Sequence, residues 1–385
     1  MTRGIRAKLV LALIGMLPLA ACGGSDAKIA STPIPTIAGS TGSFDDIAID
    51  QAGHRLFVAD RSDQGVDVFD VTTAHPKYVQ TIPMPADPNG LAIAPDVHRL
   101  FVGTASGSVV IADIAITSPH LDDVIVTVPT GGTVADLMDY SAGRQRLYVS
   151  NGADGTVTSI DTVTGQVKAH FNVGYPVAQP RYDPADGRVY VTSPDADALF
   201  RINPDDGTLS QTSLGGCRPN GLAINPTSNS ALIACQSSVM RRDLRRGSSE
   251  TVSDASGGDV VSYDARVDRF FVASPRASQS GIVSIFGGDP IAYITTVATN
   301  VRGKSAAYDE TNGIVYTPDE RPSKAAIASF KLPAAQPAWL LPLITVGPFL
   351  LLFVVVAPLI FLVARSADPA RRRESVPRTA PKVAP

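Results

Sequence analysis

Apolar and polar positions recur along this chain in one pattern that is repeated seven times. Each copy contains a short apolar strand, a turn rich in Gly, Asp, Asn or Pro, a second strand of the type Leu-Phe-Val or Leu-Tyr-Val, and then two weaker strands. The residues that open the first turn of each copy lie 39 to 47 positions apart, at Asp50, Ala94, Ser141, Asp183, Asn225, Asp264 and Asp309. Four short strands in roughly 40 to 45 residues is the spacing of a propeller blade. The pattern therefore predicts an all-β fold, a seven-bladed β-propeller spanning residues 33–332.

The third and fourth copies carry a family resemblance. The third copy reads Leu147-Tyr148-Val149-Ser150-Asn151, then Gly155-Thr156-Val157 and Ile160-Asp161, which resembles the YVTN-type and NHL-like propeller repeats. The segment Val189-Tyr190-Val191-Thr192 of the fourth copy is the next match. The resemblance covers about 33–332 and implies the propeller fold. It implies no particular activity, because such propellers carry unrelated functions.

A closed propeller needs its first and last blades joined, since an open edge strand invites aggregation. The last copy supplies only three strands before the chain reaches another apolar run. Residues 33–38, which contain Ile34-Pro35-Thr36-Ile37, are similar to the fourth strands at 80–83 and 126–129. We predict that residues 33–38 complete the last blade; the alternative is a flexible linker.

The first residues have the layout of a bacterial secretory signal. Three basic residues precede the apolar run 9–19, which leads into Leu19-Ala20-Ala21-Cys22. These last four residues resemble the bacterial lipobox, which implies cleavage before Cys22 and acylation of its thiol. We predict a lipoprotein signal peptide at residues 1–21 and a linker at 22–32. The alternatives are an ordinary signal peptide with an incidental cysteine, or an uncleaved anchor.

A second apolar segment lies near the other end of the chain. Residues 338–364 carry no charged side chain and are long enough to cross a hydrocarbon core of roughly 30 Å. Four arginines follow within 365–373, and the positive-inside rule places that end in the cytoplasm. The sequence predicts a transmembrane helix at 338–364 and a disordered basic cytoplasmic tail at 365–385. The propeller would then lie on the extracytoplasmic side of the cytoplasmic membrane.

Composition and motifs narrow the classes of function. The 33 basic and 36 acidic residues give a net charge of -3, which indicates no nucleic-acid surface. The 32 glycines and 30 prolines suit a chain that turns sharply between short strands. The sequence contains no Gly-x-Ser-x-Gly elbow, Walker-type loop or His-Glu-x-x-His motif. Catalysis is therefore not indicated by any of these common signatures.

Two cysteines remain once Cys22 is assigned to the lipid. Cys217 precedes the innermost strand of the fifth copy, and Cys235 ends the neighbouring strand. A hairpin would bring both to the same end of the blade, in a compartment that favours oxidation. We predict a structural disulfide, worth about 3 kcal/mol in the chain-entropy model.

One column of the repeat alignment is rich in polar residues. It stands at the start of the innermost strands, where side chains should face the mouth of the central tunnel, and its members are Asp45, Asn89, Asp136, Ala178, Asn220, Asp259 and Lys304. Converging carboxylate and amide oxygens are suited to Ca²⁺ or another divalent cation, and equally to a polar small molecule. The alternative is that Asp and Asn before a strand cap nearby backbone N–H groups. Lys304 would neutralise part of the ring.

A second resemblance bears on this column. Pro88-Asn89-Gly90-Leu91-Ala92 and Pro219-Asn220-Gly221-Leu222-Ala223 look like the motif by which gluconolactonase-type and senescence-marker propellers present metal-binding asparagines. In that family a Glu and an Asp complete the site. This chain has no Glu in the column and carries the full motif in only two copies, so the metal-binding prediction extends only to Asp45, Asn89, Asp136, Asn220 and Asp259.

Two hypotheses about function follow. The preferred one is a binding or scaffolding module that recognises a protein, glycan or small ligand through the funnel face. The alternative is a divalent-metal-dependent, lactonase-like hydrolase that uses the central funnel. A basic run in the fifth copy, Arg241, Arg242, Arg245 and Arg246, is either a solvated edge or a dock for anionic lipid or an acidic partner.

Overall fold

The computed structural model describes residues 27–35, 42–252, 255–275, 281–319 and 325–334. Within these ranges, 28 strands form seven antiparallel sheets of four strands each. The only helical element there is a 3₁₀ turn at Ala142–Arg144. The prediction of an all-β, seven-bladed propeller is confirmed.

Six blades are continuous in sequence, with the innermost strand first. Blade 1 contains β2 (Phe44–Asp50), β3 (Arg55–Asp60), β4 (Gly65–Asp70) and β5 (Lys77–Pro83), and blade 2 contains β6 (Pro88–Ala94), β7 (Arg99–Thr104), β8 (Ser108–Asp113) and β9 (Val124–Pro129). Blade 3 contains β10 (Met138–Ser141), β11 (Arg146–Asn151), β12 (Thr156–Asp161) and β13 (Val167–Asn172), and blade 4 contains β14 (Pro180–Asp183), β15 (Arg188–Ser193), β16 (Ala198–Ile202) and β17 (Leu209–Ser213). Blade 5 contains β18 (Leu222–Asn225), β19 (Ser230–Ala234), β20 (Val239–Asp243) and β21 (Ser249–Val252), and blade 6 contains β22 (Val261–Asp264), β23 (Arg269–Ser274), β24 (Ile282–Gly288) and β25 (Ile291–Ala298).

Blade 7 joins the two ends of the propeller. It contains β26 (Ala307–Asp309), β27 (Ile314–Asp319) and β28 (Ala326–Lys331), and its outermost strand is β1 (Ala30–Pro33) from the start of the propeller. β1 pairs antiparallel with β28, with Ala30 opposite Ser329 and Pro33 opposite Ala326. The prediction had placed this closing strand at residues 33–38. The strand that the structure describes is Ala30–Pro33, and Ile34 directly after it packs into the core between blades 7 and 1, whereas residues 36–38 of the predicted range lie outside the described residues.

The core consists of seven apolar clusters, and each cluster is built by two neighbouring blades. Between blades 1 and 2, for example, Phe57 and Val68 pack against Leu100 and Val110, and all four are fully buried. Outermost strands contribute little, since β17 is exposed along its whole length. The strong and weak strands of the sequence pattern therefore correspond to inner and outer positions in a blade.

The first turn of every blade uses a residue in the left-handed conformation at one repeat position. These residues are His54, His98, Gln145, Gly187, Asn229, Asp268 and Gly313, with φ between 49° and 71°. Five of the residues that open these turns use a side-chain oxygen to accept a backbone N–H two positions later, as Asp50 does from Ala52 at 3.2 Å. Asp and Asn at the turn-opening positions therefore have a structural role. We call the face at which the innermost strands begin the upper face, and the face with these turns the lower face.

The predicted disulfide is confirmed. Cys217 and Cys235 are bonded at the upper face of blade 5, with their Cα atoms 4.8 Å apart. Both are buried, and the backbone N–H of Gln236 donates to the carbonyl of Cys217 at 2.9 Å. The bond fixes the loop that precedes β18 to the end of β19.

The predicted targeting and anchoring segments lie outside the described residues. These are the signal peptide at 1–21, the acylated Cys22, the transmembrane helix at 338–364 and the basic tail at 365–385. Among the residues that the structure does describe, no helix has the length and apolar character needed to cross a bilayer.

Candidate functional site

The polar column predicted from the repeats lies at the upper mouth of the tunnel, and part of it gathers around Arg61. The guanidinium of Arg61 forms an ion pair with Asp45 and donates to Oδ1 of Asn89 at 2.6 Å and 3.1 Å. The ammonium of Lys304 lies 3.3 Å from the other oxygen of Asp45. Asn89 is buried, and its Nδ2 donates to the carbonyl of Ala135 at 2.9 Å. This side of the mouth is therefore a network of paired charges.

The remaining polar members lie across the mouth. Nδ2 of Asn220 donates to Oδ1 of Asp259 at 2.6 Å. Asp136 links the two sides electrostatically: burial, together with the negative charges of Asp45 and Asp259, raises its pKa to about 7, and the positive charge of Arg61 opposes this rise. The six polar predicted residues thus form one electrostatic cluster, whereas Ala178, the seventh member of the column, contributes no polar group.

Directly below this mouth, the tunnel is crossed by side chains that lie one to three residues further along the chain than the polar column. Gln179 is 1% exposed, and its Oε1 accepts the backbone N–H of Leu222 at 2.7 Å and that of Val261 at 3.1 Å. Its Nε2 donates to the carbonyl of Val261 at 3.1 Å. One amide therefore joins blades 4, 5 and 6 in the middle of the propeller.

Asp46 makes the corresponding bond between blades 1 and 2. Its carboxylate accepts the N–H of Leu91 at 2.9 Å and that of Ile47 at 2.9 Å. Burial raises the pKa of Asp46 to about 6, although both N–H groups oppose the rise. Arg181 also crosses the tunnel, donating to the carbonyls of Met138 in blade 3 and Val261 in blade 6, each at 3.2 Å.

The Pro-Asn-Gly motif has a packing explanation. A Cβ on Gly90 would lie 2.5 Å from the carbonyl oxygen of Asp136, and one on Gly221 would lie 2.4 Å from that of Asp259. In both places the innermost strand of the next blade approaches too closely for any side chain. The two glycines that supported the gluconolactonase resemblance are therefore required by the contact between blades.

The metal-binding prediction assigned five oxygen-bearing residues to one cation. Across the described ranges, no three Asp, Glu, His or Cys side chains are grouped so that they could hold a metal ion. The carboxylate of Asp45 is instead paired with Arg61 and Lys304, and the Oδ1 of Asn89 also faces Arg61. A guanidinium at the centre of the donor set opposes a divalent cation at the same place.

A cavity of about 190 Å³ opens on the upper face between blades 4, 5 and 6. Its lining includes Arg218, Asn220, Gln236 and Asp259, so two members of the predicted column contribute to it. Arg218 and Gln236 each directly follow a cysteine of the disulfide. The cross-link therefore positions both polar side chains at the rim of the cavity.

The loop that carries Arg218 is held by Asp197 of blade 4. The carboxylate of Asp197 accepts the N–H of Arg218 at 2.7 Å and that of Gly216 at 2.5 Å. Arg218 has a positive φ of 49° and an exposed side chain. Its guanidinium makes no hydrogen bond or ion pair with any residue that the structure describes, so it is a donor available to a ligand.

Sequence reasoning missed Arg61 and Gln236, although the repeats contained a signal for both. Each stands sixteen residues after its column member, one or two residues beyond the end of the second strand of its blade. Pro194 and Pro275 occupy the equivalent positions of blades 4 and 6, and both line the same cavity. In blades 1, 4, 5 and 6 this repeat position therefore lies at the upper mouth.

A separate cavity of about 430 Å³ opens toward the lower face. Tyr140, Tyr182 and Tyr263 line it together with Arg181, Asp139 and aliphatic side chains. Arg181 lies 3.7 Å from Asp139, so its charge is balanced there. The side chains that cross the tunnel lie between this cavity and the upper mouth.

No protein-family model matches the chain, and no curated protein shows significant sequence similarity to it. The propeller fold is thus shown by the structure, while the YVTN-type and NHL-like resemblance remains a prediction.

Replacing Gln179 by Ala should lower the free energy of unfolding by about 2 to 4 kcal/mol, because it leaves two buried N–H groups and one carbonyl without partners. Urea denaturation followed by circular dichroism measures the change. Gln211→Ala, on the exposed outermost strand of the same blade, is the matched control and should have little effect. Equal stability of the two variants would contradict the bridging role of Gln179.

Replacing Asp136 by Asn should stabilise the protein at high pH. The folded-state pKa of about 7 lies above the unfolded value of about 3.9, so ionising Asp136 costs folding free energy as pH rises through this window. We expect the free energy of unfolding of Asp136→Asn to exceed that of the unmodified protein by up to about 4 kcal/mol at pH 8, and the gap to close toward pH 4.

Unfolding free energies measured by denaturation across this pH range test the effect of Asp136. The exposed Asp195→Asn variant at the upper face of blade 4 serves as the control, and it should show no gap that opens with pH. An Asp136→Asn curve parallel to that of the unmodified protein would be inconsistent with the raised pKa.

Proposed function

We propose that the propeller is a binding module whose upper face recognises a small polar ligand carrying a carboxylate or similar anionic group. The observation that carries this proposal is the guanidinium of Arg218, exposed and without a partner among the described residues, at the rim of the cavity between blades 4, 5 and 6. A guanidinium binds a carboxylate through two parallel hydrogen bonds. Gln236 and Asn220 would supply neutral hydrogen-bonding groups to the rest of the ligand.

The surroundings of the cavity suit recognition. The disulfide at Cys217 and the bonds from Gly216 and Arg218 to Asp197 fix the backbone at Arg218, so little conformational entropy would be lost on binding. Asp259 also lines the cavity, and its Oδ1 accepts a hydrogen bond from Nδ2 of Asn220. The cavity therefore offers one guanidinium to an anionic group and neutral amide groups to the rest of the ligand.

The geometry favours binding over the alternative of lactonase-like hydrolysis. That alternative needs a divalent cation held by the polar column, and the oxygens of Asp45 and Asn89 are directed to Arg61 instead. The hydrogen bonds of Arg61, Gln179 and Asp46 connect neighbouring blades, which gives these residues a structural role. Ligand binding requires only the cavity and the guanidinium of Arg218, which has no partner among the described residues.

The proposal includes the location of the module. A lipobox ending at Cys22 and the uncharged segment 338–364 support a lipoprotein with one transmembrane helix, held on the extracytoplasmic side of the cytoplasmic membrane. The disulfide between Cys217 and Cys235 is consistent with an oxidising compartment. Two anchors would hold the propeller permanently at the membrane.

Ligand binding can be tested by thermal-shift screening of the full chain in detergent against amino acids, sugar acids and neutral sugars. We expect an anionic compound to raise the melting temperature, because a ligand that binds only the folded state stabilises it. Arg218→Ala and Asn220→Ala should each lower the affinity for that compound tenfold or more, which corresponds to about 1.4 kcal/mol of binding free energy.

Lys77→Ala removes an exposed cation from the lower end of blade 1 and is the matched control for this screen. Its affinity should equal that of the unmodified protein. Stabilisation by neutral sugars alone, or full binding by Arg218→Ala, would refute the assignment of Arg218 as the anchor for the anionic group.

The location can be tested in cells. Cys22→Ala should abolish metabolic labelling with an alkyne fatty acid, and a cysteine introduced by Asp195→Cys should react with a membrane-impermeant maleimide in intact spheroplasts. The maleimide should not react with Cys217 or Cys235, because they are bonded to each other. Reaction only after lysis would place the propeller in the cytoplasm.

A further inference from the structure

A groove of about 710 Å³ lies between the outer parts of blades 4 and 5, at the lower face. Three arginines, Arg201, Arg242 and Arg245, line it with a single acidic residue, Asp186. Arg201 is already paired with this acid, since its Nη2 lies 3.1 Å from the carboxylate. The groove therefore carries an excess of about two positive charges, counted from its lining.

Arg242 and Arg245 have no carboxylate partner within the described ranges. Arg242 is half-buried, and its Nη1 donates to the hydroxyl of Ser249 at 2.7 Å. Burial lowers the pKa of Arg242, and the negative charge of Asp243 offsets this only in part. The Arg245 side chain is exposed and makes no hydrogen bond or ion pair there. Two guanidinium groups in one groove are thus available to an anion.

The nearest acid of blade 5 is already occupied. The carboxylate of Asp243 accepts the backbone N–H groups of Arg245 and Arg246 at 2.9 Å and 2.7 Å, and lies 3.5 Å from the guanidinium of Arg246. Glu250 on β21 is paired with Arg241. Neither acid forms an ion pair with the two arginines of the groove.

The ends of the described chain lie at this same lower face. β1 begins at Ala30, opposite Ser329, and β28 ends at Lys331, opposite Ile314 at the start of β27. The N–H of Leu332 donates to the carbonyl of Gly313 in the lower turn of blade 7 at 2.9 Å. The polypeptide therefore enters and leaves the propeller side by side at the lower end of blade 7.

The predicted lipid lies a short distance before this point. Cys22 precedes Ala27, the first described residue, by five positions, and an extended chain spans at most about 3.5 Å per residue. An acyl chain on Cys22 would hold the lower face within roughly 20 Å of a bilayer surface. The chain enters the propeller through β1 and leaves it through β28, which are adjacent strands of blade 7. An anchor at this one place would leave the propeller free to tilt relative to the bilayer.

From the groove and the chain ends we infer that the lower rim of the propeller, at the groove between blades 4 and 5, docks on the headgroups of anionic phospholipids. The phosphate groups would be bound by Arg242 and Arg245, which can each donate two hydrogen bonds to one phosphate. This second contact, away from blade 7, would fix the tilt and direct the cavity beside Arg218 away from the bilayer. The inference depends on the proposed membrane anchoring and is independent of the ligand of the upper face.

The test uses the full chain, reconstituted in nanodiscs of phosphatidylcholine with or without phosphatidylglycerol, and a nitroxide quencher on the lipid headgroup. A fluorophore is attached in turn through Ser248→Cys near the groove, Thr311→Cys at the lower end of blade 7, and Asp195→Cys at the upper face; all three positions are exposed. We expect the Ser248→Cys fluorophore to be quenched several-fold more strongly with phosphatidylglycerol. High salt should remove the difference, and the Asp195→Cys fluorophore should remain unquenched.

The double variant Arg242→Ala, Arg245→Ala should reduce quenching at the groove to the level seen in phosphatidylcholine. The double variant Lys77→Ala, Arg266→Ala removes two exposed charges from the lower face elsewhere and should leave the quenching unchanged. Circular dichroism melting of both variants confirms that the propeller remains folded.

Several results would overturn the docking. These are equal quenching at the groove in both lipids, no effect of the arginine double variant, or quenching of the upper-face fluorophore. Quenching retained at Thr311→Cys but absent at the groove would leave the anchoring intact and refute the docking alone. If inorganic phosphate at constant ionic strength removed the quenching at the groove, the groove would instead be a site for free phosphate.

Discussion

The innermost strand of each blade has a hydrogen-bonding partner on one side only, and this constraint organises the centre of the propeller. Its other edge faces the tunnel, where unpaired N–H and C=O groups are costly once water is excluded. Side chains of a neighbouring blade complete these groups: Asp46 does so for Leu91, Asp139 for Tyr182, Gln179 for Leu222 and Val261, Gln51 for Tyr308, and Ser305 for Asp45. The blades are therefore joined at the axis by side-chain bonds to backbone, in addition to the apolar clusters between them.

The side chains that bond the tunnel-facing backbone also limit where a ligand can bind. The tunnel is crossed at the level of Gln179 and Arg181, and most polar residues at its upper mouth are paired with one another. Asp45 and Asn89, which looked like ligands for a cation, face Arg61. Among the described residues, the guanidinium of Arg218 has no partner, and blade 5 is reinforced there by the disulfide and by Asp197 of blade 4. Recognition is thus expected at an edge of the mouth rather than along the tunnel.

The closing strand determines where the proposed membrane anchors would act on the fold. Because β1 is antiparallel to β28, the chain must enter the propeller at the end where it leaves. Any anchor close to either end of the described chain therefore acts on one point of the disc, at the lower end of blade 7. A rigid body held at one point needs another contact to define its orientation. Arg242 and Arg245, which have no carboxylate partner among the described residues, lie on the face where such a contact would form.

The repeated strand pattern in the sequence determined the class of fold and the number of blades, because strands buried between neighbouring blades must be apolar on both faces. It also located the disulfide, since Cys217 and Cys235 flank one hairpin, and it placed Asp45, Asn89, Asp136, Asn220, Asp259 and Lys304 at one mouth. The sequence could not locate the closing strand to the residue, because an exposed outermost strand such as Ala30–Pro33 has almost no apolar signal and is defined by its backbone pairing with β28.

Only the tertiary structure decided what the polar column does. Asp and Asn before a strand are equally suited to a cation, a ligand or a backbone amide, and the choice depends on which group lies opposite. Arg61 reaches Asn89 across the contact between two blades, and Gly90 is required by the approach of Asp136 from the next blade. These neighbours are distant in sequence and are brought together only when the ring closes.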